Sequence, residues 1–299
     1  MKKNKRRVPV SNNHSTSKKL DTLVEDIYKS LEPLNNRQSL ELSDENIDKT
    51  VADFKEALIH WARPSGHNKE FSIRMSNIGK PARQLWYEKK NAQAPSFQPS
   101  NHIRFLYGHM LEAVVLMLVR MAGHKVTDEQ KEVVVDGIKG HIDCKINGEV
   151  VDIKTAARIG FMKFQSGAVA NDDPFGYLAQ LASYEEAEGT ENGGFLVMSK
   201  ESGELCLYQP EDLEKPNILV TIDNLKKDLD KAVPPKRCYN TVPEGAKGNI
   251  GLSKPCSYCN YKFECYADAN DGKGLRTFKY ANGFKYLTEV KLLPKVQEV

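Results

Sequence analysis

Two short runs near the middle of the chain could do chemistry: Gly140-His141-Ile142-Asp143-Cys144-Lys145-Ile146 and Glu149-Val150-Val151-Asp152-Ile153-Lys154-Thr155. Asn147-Gly148 lies between them, and both residues tolerate the positive φ that a two-residue hairpin turn demands. That turn pairs Ile146 with Glu149, Cys144 with Val151, and Asp143 with Asp152. Side-chain alternation then puts Lys154 on the face of Asp152, and Ile142, Cys144, Ile146, Val151 and Ile153 together on the other, core face. In the same register His141 shares the face of Asp143 and opposes Lys154, so it could support the site from behind.

Directly opposed side chains in an antiparallel pair have Cβ atoms about 4.5–5.5 Å apart, where two carboxylates repel. A hard divalent cation such as Mg²⁺ or Mn²⁺ offsets that repulsion, because it takes oxygen ligands and keeps waters for a phosphate substrate or a nucleophile. Lys154 is then placed to hold or activate an attacking water and to stabilise charge on phosphate. The spacing alone leaves an ordinary alternative open, in which Asp143, Asp152, Lys145 and Lys154 solvate an outer sheet face and pair diagonally. A second signal is Cys256-x2-Cys259-x5-Cys265, since a CxxC pair grips a soft metal from a tight turn.

The elements that must position these residues follow from periodicity. Amphipathic helices are expected over 20–34, from the Ser43 cap to Pro64, from Pro81 through Tyr87, and from His102 to Met121, where Gly123 is a natural stop. The period then changes to two, giving strands at 132–135, 140–146 and 149–155. Helices at 159–168 and 175–188, a hairpin of strands at 194–199 and 204–209, and a long helix over 211–232 complete an α/β pattern. The longest unbroken apolar run, Ala113–Val119, is far short of the ~20 residues of a membrane span. The basic start is followed by Asn, Ser and Thr instead of an apolar stretch, so no secretory signal is expected.

Of 299 residues, 40% are hydrophobic and 28% charged, a balance that excludes disorder as the main state. Net charge is only +3, from 43 basic and 40 acidic side chains, so any anion-binding site must be local. Six cysteines in a chain this long are too sparse for a secreted disulfide framework and point to a reducing, cytoplasmic compartment.

Gly140-His141-Ile142-Asp143 followed by Val150-Val151-Asp152-Ile153-Lys154-Thr155 resembles motifs II and III of the PD-(D/E)XK nuclease superfamily, in its RecB-like exonuclease branch. Tyr107-Gly108-His109-Met110-Leu111-Glu112 is similar to that branch's first motif, and Tyr177-Leu178-Ala179-Gln180-Leu181-Ala182-Ser183-Tyr184 to its Q-x-x-x-Y helix. The resemblance implies that Glu112, Asp143, Asp152 and the Ile153 carbonyl hold Mg²⁺ or Mn²⁺. It implies that Lys154 serves the nucleophilic water, and that Gln180, Tyr184 and Tyr177 face the active site and the bound strand. Arg158, Lys163, Lys89 and Lys90 are candidate phosphate contacts.

The branch often carries a [4Fe–4S] cluster on a C-terminal cysteine triplet plus one distant N-terminal cysteine. The corresponding segment here, Ile78–Tyr87, has no cysteine. Cys238 is the candidate fourth ligand, and a local four-cysteine site suits structural Zn²⁺ as well as iron–sulfur. The expected organisation is a disordered basic tail at 1–19, a helical region at 20–100, a restriction-endonuclease-like core with a mixed sheet flanked by helices at 101–235, and a cysteine metal module with a C-terminal tail at 236–299.

The implied activity is a metal-dependent DNA exonuclease on single strands or frayed ends, in phage or bacterial recombination, repair or DNA degradation. No helix-turn-helix or second basic module is present to read bases. Trp86, Tyr87, Tyr177, Tyr184, Tyr258 and Tyr261 could stack bases without regard to sequence, although at least half of them are expected in the core. The alternative is a catalytically silent nucleic-acid-binding or assembly subunit on the same fold. No membrane partner is expected.

Overall fold

The computed structural model describes residues 18–63, 71–91, 98–246 and 248–299. The basic tail expected at 1–19 therefore lies outside the described residues except for Lys18 and Lys19, as does Pro64. In chain order the elements are α1 (Leu23–Leu31), α2 (Asp44–Ala62), α3 (Ala82–Lys90), α4 (Pro99–Met121), β1 (Val126–Thr127), β2 (Glu132–Val135), β3 (Ile138–His141), β4 (Cys144–Ile146) and β5 (Glu149–Ala156). They continue through α5 (Arg158–Gln165), α6 (Tyr177–Glu188), β6 (Gly194–Ser199), β7 (Leu205–Tyr208) and α7 (Ile218–Leu229). The C-terminal part holds β8 (Val242–Glu244), β9 (Asn249–Gly251), the short helices α8 (Lys254–Tyr258), α9 (Lys262–Cys265) and α10 (Ala269–Gly272), then β10 (Arg276–Tyr280) and β11 (Gly283–Glu289).

The main sheet has the order β1-β4-β5-β6-β7, mixed as expected: β5 and β6 run parallel and the other neighbours antiparallel. A parallel pair needs a crossover, here α5 and α6, which cover one face of the sheet. On that face α6 and α7 pack with Val150, Phe195 and Val197. On the other, α1 and α4 pack with Cys144, Ile146, Val151, Ile153, Leu196 and Met198. By length and composition α4 could cross a membrane, a property the sequence reading did not expect of it. It is nevertheless a core helix here, burying Val115, Leu116 and Val119 beneath the sheet.

Local chemistry accounts for most boundaries. The Ser43 hydroxyl caps α2 by accepting from the Asn46 N–H at 3.2 Å, and Asn217 caps α7 through Val220. The helix expected over 211–232 is shorter because Pro216 cannot continue a helix and pushes Lys215 to extended backbone. The turn forms as expected, with φ of +54° at Asn147 and +97° at Gly148.

One strand departs from expectation in a way that matters for the site. The run 140–146 is two strands, broken at Ile142-Asp143: β3 pairs with β2 in a separate ribbon, and β4 pairs with β5. At the break the Ile142 N–H donates to the Lys131 carbonyl and the Gln130 N–H to the Asp143 carbonyl. The chain thus swings from one layer to the other. Ile142 joins the α6 core instead of the face of Cys144 and Ile146. His141 does not oppose Lys154; it pairs with Glu132 and is exposed.

The segment after Cys265 is not a tail. It forms, with β8 and β9, a four-stranded antiparallel sheet in the order β10-β11-β9-β8, and the cysteine turns sit between β9 and β10. Its small core holds Leu252, Tyr266 and Ala269, with Cys256 and Cys265 packed against them.

Candidate active site

Asp152 and Lys154 lie on the central strand, on the face covered by α6, so the open polar sheet face considered from spacing is not what forms. Asp152 is 1% exposed. Lys154 Nζ is its ion-pair partner and donor, and no other described residue donates a hydrogen bond to its carboxylate. The β4–β5 ladder ends at Cys144, which leaves Asp143 one residue past it. There Asp143 Oδ2 accepts from the Ile153 N–H at 2.7 Å, tying it to the strand of Asp152 and Lys154. Glu112 comes from α4, in the opposite layer.

Each acid feels the others. Burial, followed by the charge of Asp152, pushes the Glu112 carboxyl up to about 7. Burial and the Asp152 charge likewise hold Asp143 well above the usual carboxylate range. Lys154 is likewise shifted towards a firmer hold on its proton, because Asp152 and Asp143 outweigh its desolvation.

α6 closes the site from above. Gln180 Nε2 donates to the Tyr184 hydroxyl at 3.0 Å, and the Tyr177 ring centroid lies 5.3 Å from Lys154 Nζ. Burial raises the Tyr184 hydroxyl to about 12, with Asp152 and Asp143 adding to the shift. Two glycine positions allow the approach. A Cβ on Gly140 would sit 2.8 Å from the Tyr184 ring, and one on Gly79 only 2.4 Å from the Gly176 backbone at the start of α6. The Asp173 carboxylate caps α6 by accepting from the N–H groups of Gly176 and Leu178, each at 2.9 Å.

Six expected side chains, Glu112, Asp143, Asp152, Lys154, Gln180 and Tyr184, are therefore neighbours in space, with Tyr177 and the Ile153 backbone among them. The candidate phosphate contacts are placed differently. Lys163 is ion-paired with Asp172 and Lys89 with Asp230, Lys90 lies over the Trp86 ring, and Arg158 is exposed at the start of α5. Of the candidate stacking aromatics, Trp86, Tyr184 and Tyr261 are buried, Tyr87 and Tyr177 half-buried, and Tyr258 exposed.

Gln130 escaped sequence reasoning. Its side-chain amide donates to Glu112 Oε1 at 2.9 Å, while its N–H holds the Asp143 carbonyl at 3.1 Å. It has φ +53°, a left-handed conformation uncommon outside glycine. No local motif marks it; only the break in the strand brings it to the acids.

The cysteines gather without closing. Burial, and then the nearby thiols of Cys256, Cys265 and Cys259, raise Cys238 to about 11. Yet the Arg83 Nε–H points at Cys265 Sγ at 3.0 Å, and Cys256 Sγ lies 3.9 Å from the Tyr266 hydroxyl. Among the described residues no three His, Cys, Asp or Glu side chains converge as a ready-made metal-ligand cluster, either here or at the acids. The segment expected to correspond to an N-terminal cysteine site does reach the module, through Arg83 and through Tyr87, whose ring stacks on Tyr261 with centroids 6.0 Å apart. Cys144 is buried on the core face, as expected, and Cys206 on β7 is buried as well.

No protein-family model and no curated protein matches the chain. Among solved structures it is similar to SSO0001, with TM-score 0.40 and 18% identity over 71% of this chain and 93% of that one. It is also similar to the alkaline exonuclease LHK-Exo from Laribacter hongkongensis, with TM-score 0.40 and 12% identity over 54% and 89% of the two chains. A phage-related exonuclease from Haemophilus somnus 129PT matches with TM-score 0.37 and 12% identity over 54% and 91%. Likeness this distant carries no inference about activity, which must rest on the site's own geometry.

Proposed function

We propose that the chain is a nuclease that hydrolyses DNA phosphodiester bonds with a divalent cation, acting from ends on single-stranded or frayed DNA. The observation that carries this reading is Asp152, a buried carboxylate whose one donor among the described residues is Lys154, crowded by Asp143 and Glu112. A buried charge is expected to be paired, to coordinate metal or to be neutralised, and here Lys154 pairs with Asp152 while burial and crowding drive Glu112 and Asp143 towards their protonated forms. The oxygen donors of Asp152, Asp143 and Glu112, with the Ile153 carbonyl, fit a hard cation such as Mg²⁺ or Mn²⁺. The chemistry such a cation supplies when bound is polarisation of a phosphoryl oxygen and a lowered pKa for water.

The chain's own groups divide the remaining work. Lys154 stays protonated, so its Nζ orients a water and stabilises phosphate charge by donating hydrogen bonds; it does not take the proton. Gln180 holds the Tyr184 hydroxyl at the edge of the cleft. The layers of α4 and α6 narrow access to the acids from both sides. A silent assembly subunit has no need to keep a buried Asp152–Lys154 pair beside two further acids. The thiols of Cys238, Cys256, Cys259 and Cys265 have the donor chemistry for one structural Zn²⁺ or [4Fe–4S] cluster, which would pin α3 against the C-terminal sheet. A role in phage or bacterial recombination, repair or DNA degradation rests on the sequence resemblance alone.

The test is hydrolysis of one end-labelled sequence, offered as a linear and as a covalently closed single strand, across a Mg²⁺ and Mn²⁺ titration with a chelator control. Cation-dependent loss of the linear form alone is expected. Equal degradation of the circle would overturn end-dependence, and no hydrolysis in any cation would overturn the nuclease reading.

A further inference from the structure

The loop that leads into α6 carries a feature the catalytic constellation does not use. Phe175 is 61% exposed, although its ring lies 5.4 Å from the Tyr177 ring at an interplanar angle of 30°. Tyr177 in turn packs on Phe164 at 5.6 Å and on Phe195 at 6.2 Å, both of them core residues. An aromatic series thus runs from the core to the surface. It passes Lys154, whose Nζ sits over the Tyr177 ring.

The exposed end of the series is held in place. Asp173 ties down the N–H groups on both sides of Tyr177, and Gly176, at φ +77°, sits so close to Gly79 that a Cβ would meet its backbone at 2.3 Å. Lys163 on α5 is ion-paired to Asp172, three residues before Phe175. The backbone of Phe175 is therefore fixed by its neighbours, and the ring forgoes burial that a more mobile loop could find. A large apolar ring held rigid in water beside a charged site is suited to an occupant with a flat π-face.

We propose that Phe175, backed by Tyr177, is a stacking platform for one nucleobase of a single strand whose neighbouring phosphodiester lies at Lys154 and the acids. This rests on the nuclease reading above and adds to it the subsite that seats the strand. Continuity with Lys154 selects the occupant, because a ligand that extends from Phe175 along Tyr177 reaches the ammonium over the Tyr177 ring and meets it best with negative charge. A nucleotide does both. Stacking reads no sequence, in keeping with a chain that shows no base-reading module.

The test is equilibrium binding of a fluorescein-labelled single-stranded 12-mer to the full chain at low ionic strength in chelator, where no hydrolysis intervenes. Base–aromatic stacking predicts that Phe175→Ala and Phe175→Leu raise Kd by about 5- to 100-fold, and that Phe175→Trp restores it. Scanning a single abasic site through the oligomer should find one position that weakens the wild-type protein by a similar factor and does not weaken Phe175→Ala further. Additive losses at every abasic position, or an unchanged Kd for Phe175→Ala with wild-type melting, would overturn the platform while leaving the nuclease reading in place. A wild-type chain that neither binds nor hydrolyses DNA would overturn both.

Discussion

Lys154 and Asp152 form one ion pair, but removing one partner should not equal removing the other. In Lys154→Met the only cation among the described residues paired with Asp152 disappears, leaving a buried carboxylate with no described hydrogen-bond donor beside Asp143 and Glu112. A contact ion pair at an effective dielectric near 20 is worth roughly 4 kcal/mol, and truncating one partner of a buried pair costs about 3–5 kcal/mol. In Asp152→Asn the same attraction is lost, but so is repulsion from Asp143, about 3 kcal/mol at the roughly 5 Å of opposed side chains. Lys154 also retains Asp143 as an anionic neighbour. The expected result in chelator at pH 7.5 is a loss of about 3–5 kcal/mol for Lys154→Met against roughly 1 kcal/mol or less for Asp152→Asn, with DNA hydrolysis abolished in both. Urea unfolding measures the first quantity and labelled-strand hydrolysis the second. Saturating Mg²⁺ should recover part of the Lys154→Met deficit and little of the other. Equal stability of Lys154→Met and wild type in chelator would refute the view that this cleft holds uncompensated charge. Near-wild-type hydrolysis by Lys154→Met would refute the role given to Lys154.

Gln130→Ala should leave unfolding free energy within about 1 kcal/mol of wild type, because the residue is exposed, yet lower hydrolysis about 10- to 100-fold by freeing Glu112; unchanged hydrolysis would remove Gln130 from the site. Gly140→Ala should cost about 1–3 kcal/mol, since the new methyl meets Met75 at 2.7 Å and the Tyr184 ring at 2.8 Å, and an unchanged urea midpoint would show that α6 sits farther from β3. Elemental analysis and the visible spectrum of anaerobically purified protein should find one zinc or one iron–sulfur cluster per chain. Cys259→Ser should then lower the melting temperature more than it lowers hydrolysis, whereas absence of both metals with unaltered melting would discard the module.

The sequence makes the scaffold legible where local chemistry decides. Ser43 caps its helix, Asn147-Gly148 turns its hairpin, and the pairing of Cys144 with Val151 falls in the expected register. The site residues were legible because their types are unusual for a central strand, with Asp152 and Lys154 among Val150, Val151 and Ile153. Their surroundings were not. Alternation within one hairpin cannot tell that the second face is roofed by α6, because that roof comes from about 30 residues downstream, after a crossover. The break at Ile142-Asp143 depends on hydrogen bonds to Gln130 and Lys131, a loop with no motif of its own. The C-terminal sheet is not legible as a whole because β8 and β9, at three residues each, are too short to show a period, although β10 and β11 are five and seven residues long.

Where the central strand of an α/β core would carry aliphatic side chains, this one buries Asp152, with half-buried Glu112, Asp143 and Lys154 around it. Burial of that kind violates the pattern on which the rest of the fold is built, and such violations are expected at functional or strained sites. The surrounding positions are arranged to permit it. Gly140 leaves room for Tyr184 to close over the strand, Gly79 and Gly176 let the start of α6 touch the α3 approach, and Asp173 fixes the turn from which Tyr177 reaches Lys154. If these residues only tolerated an accident of charge, replacing Asp143, Asp152 and Lys154 together by apolar residues of similar volume would stabilise the protein without other consequence, as buried ion networks often allow. The same replacement should here abolish hydrolysis and any cation-dependent gain in stability. It thus separates a site that stores repulsion for a ligand from a core that merely endures it.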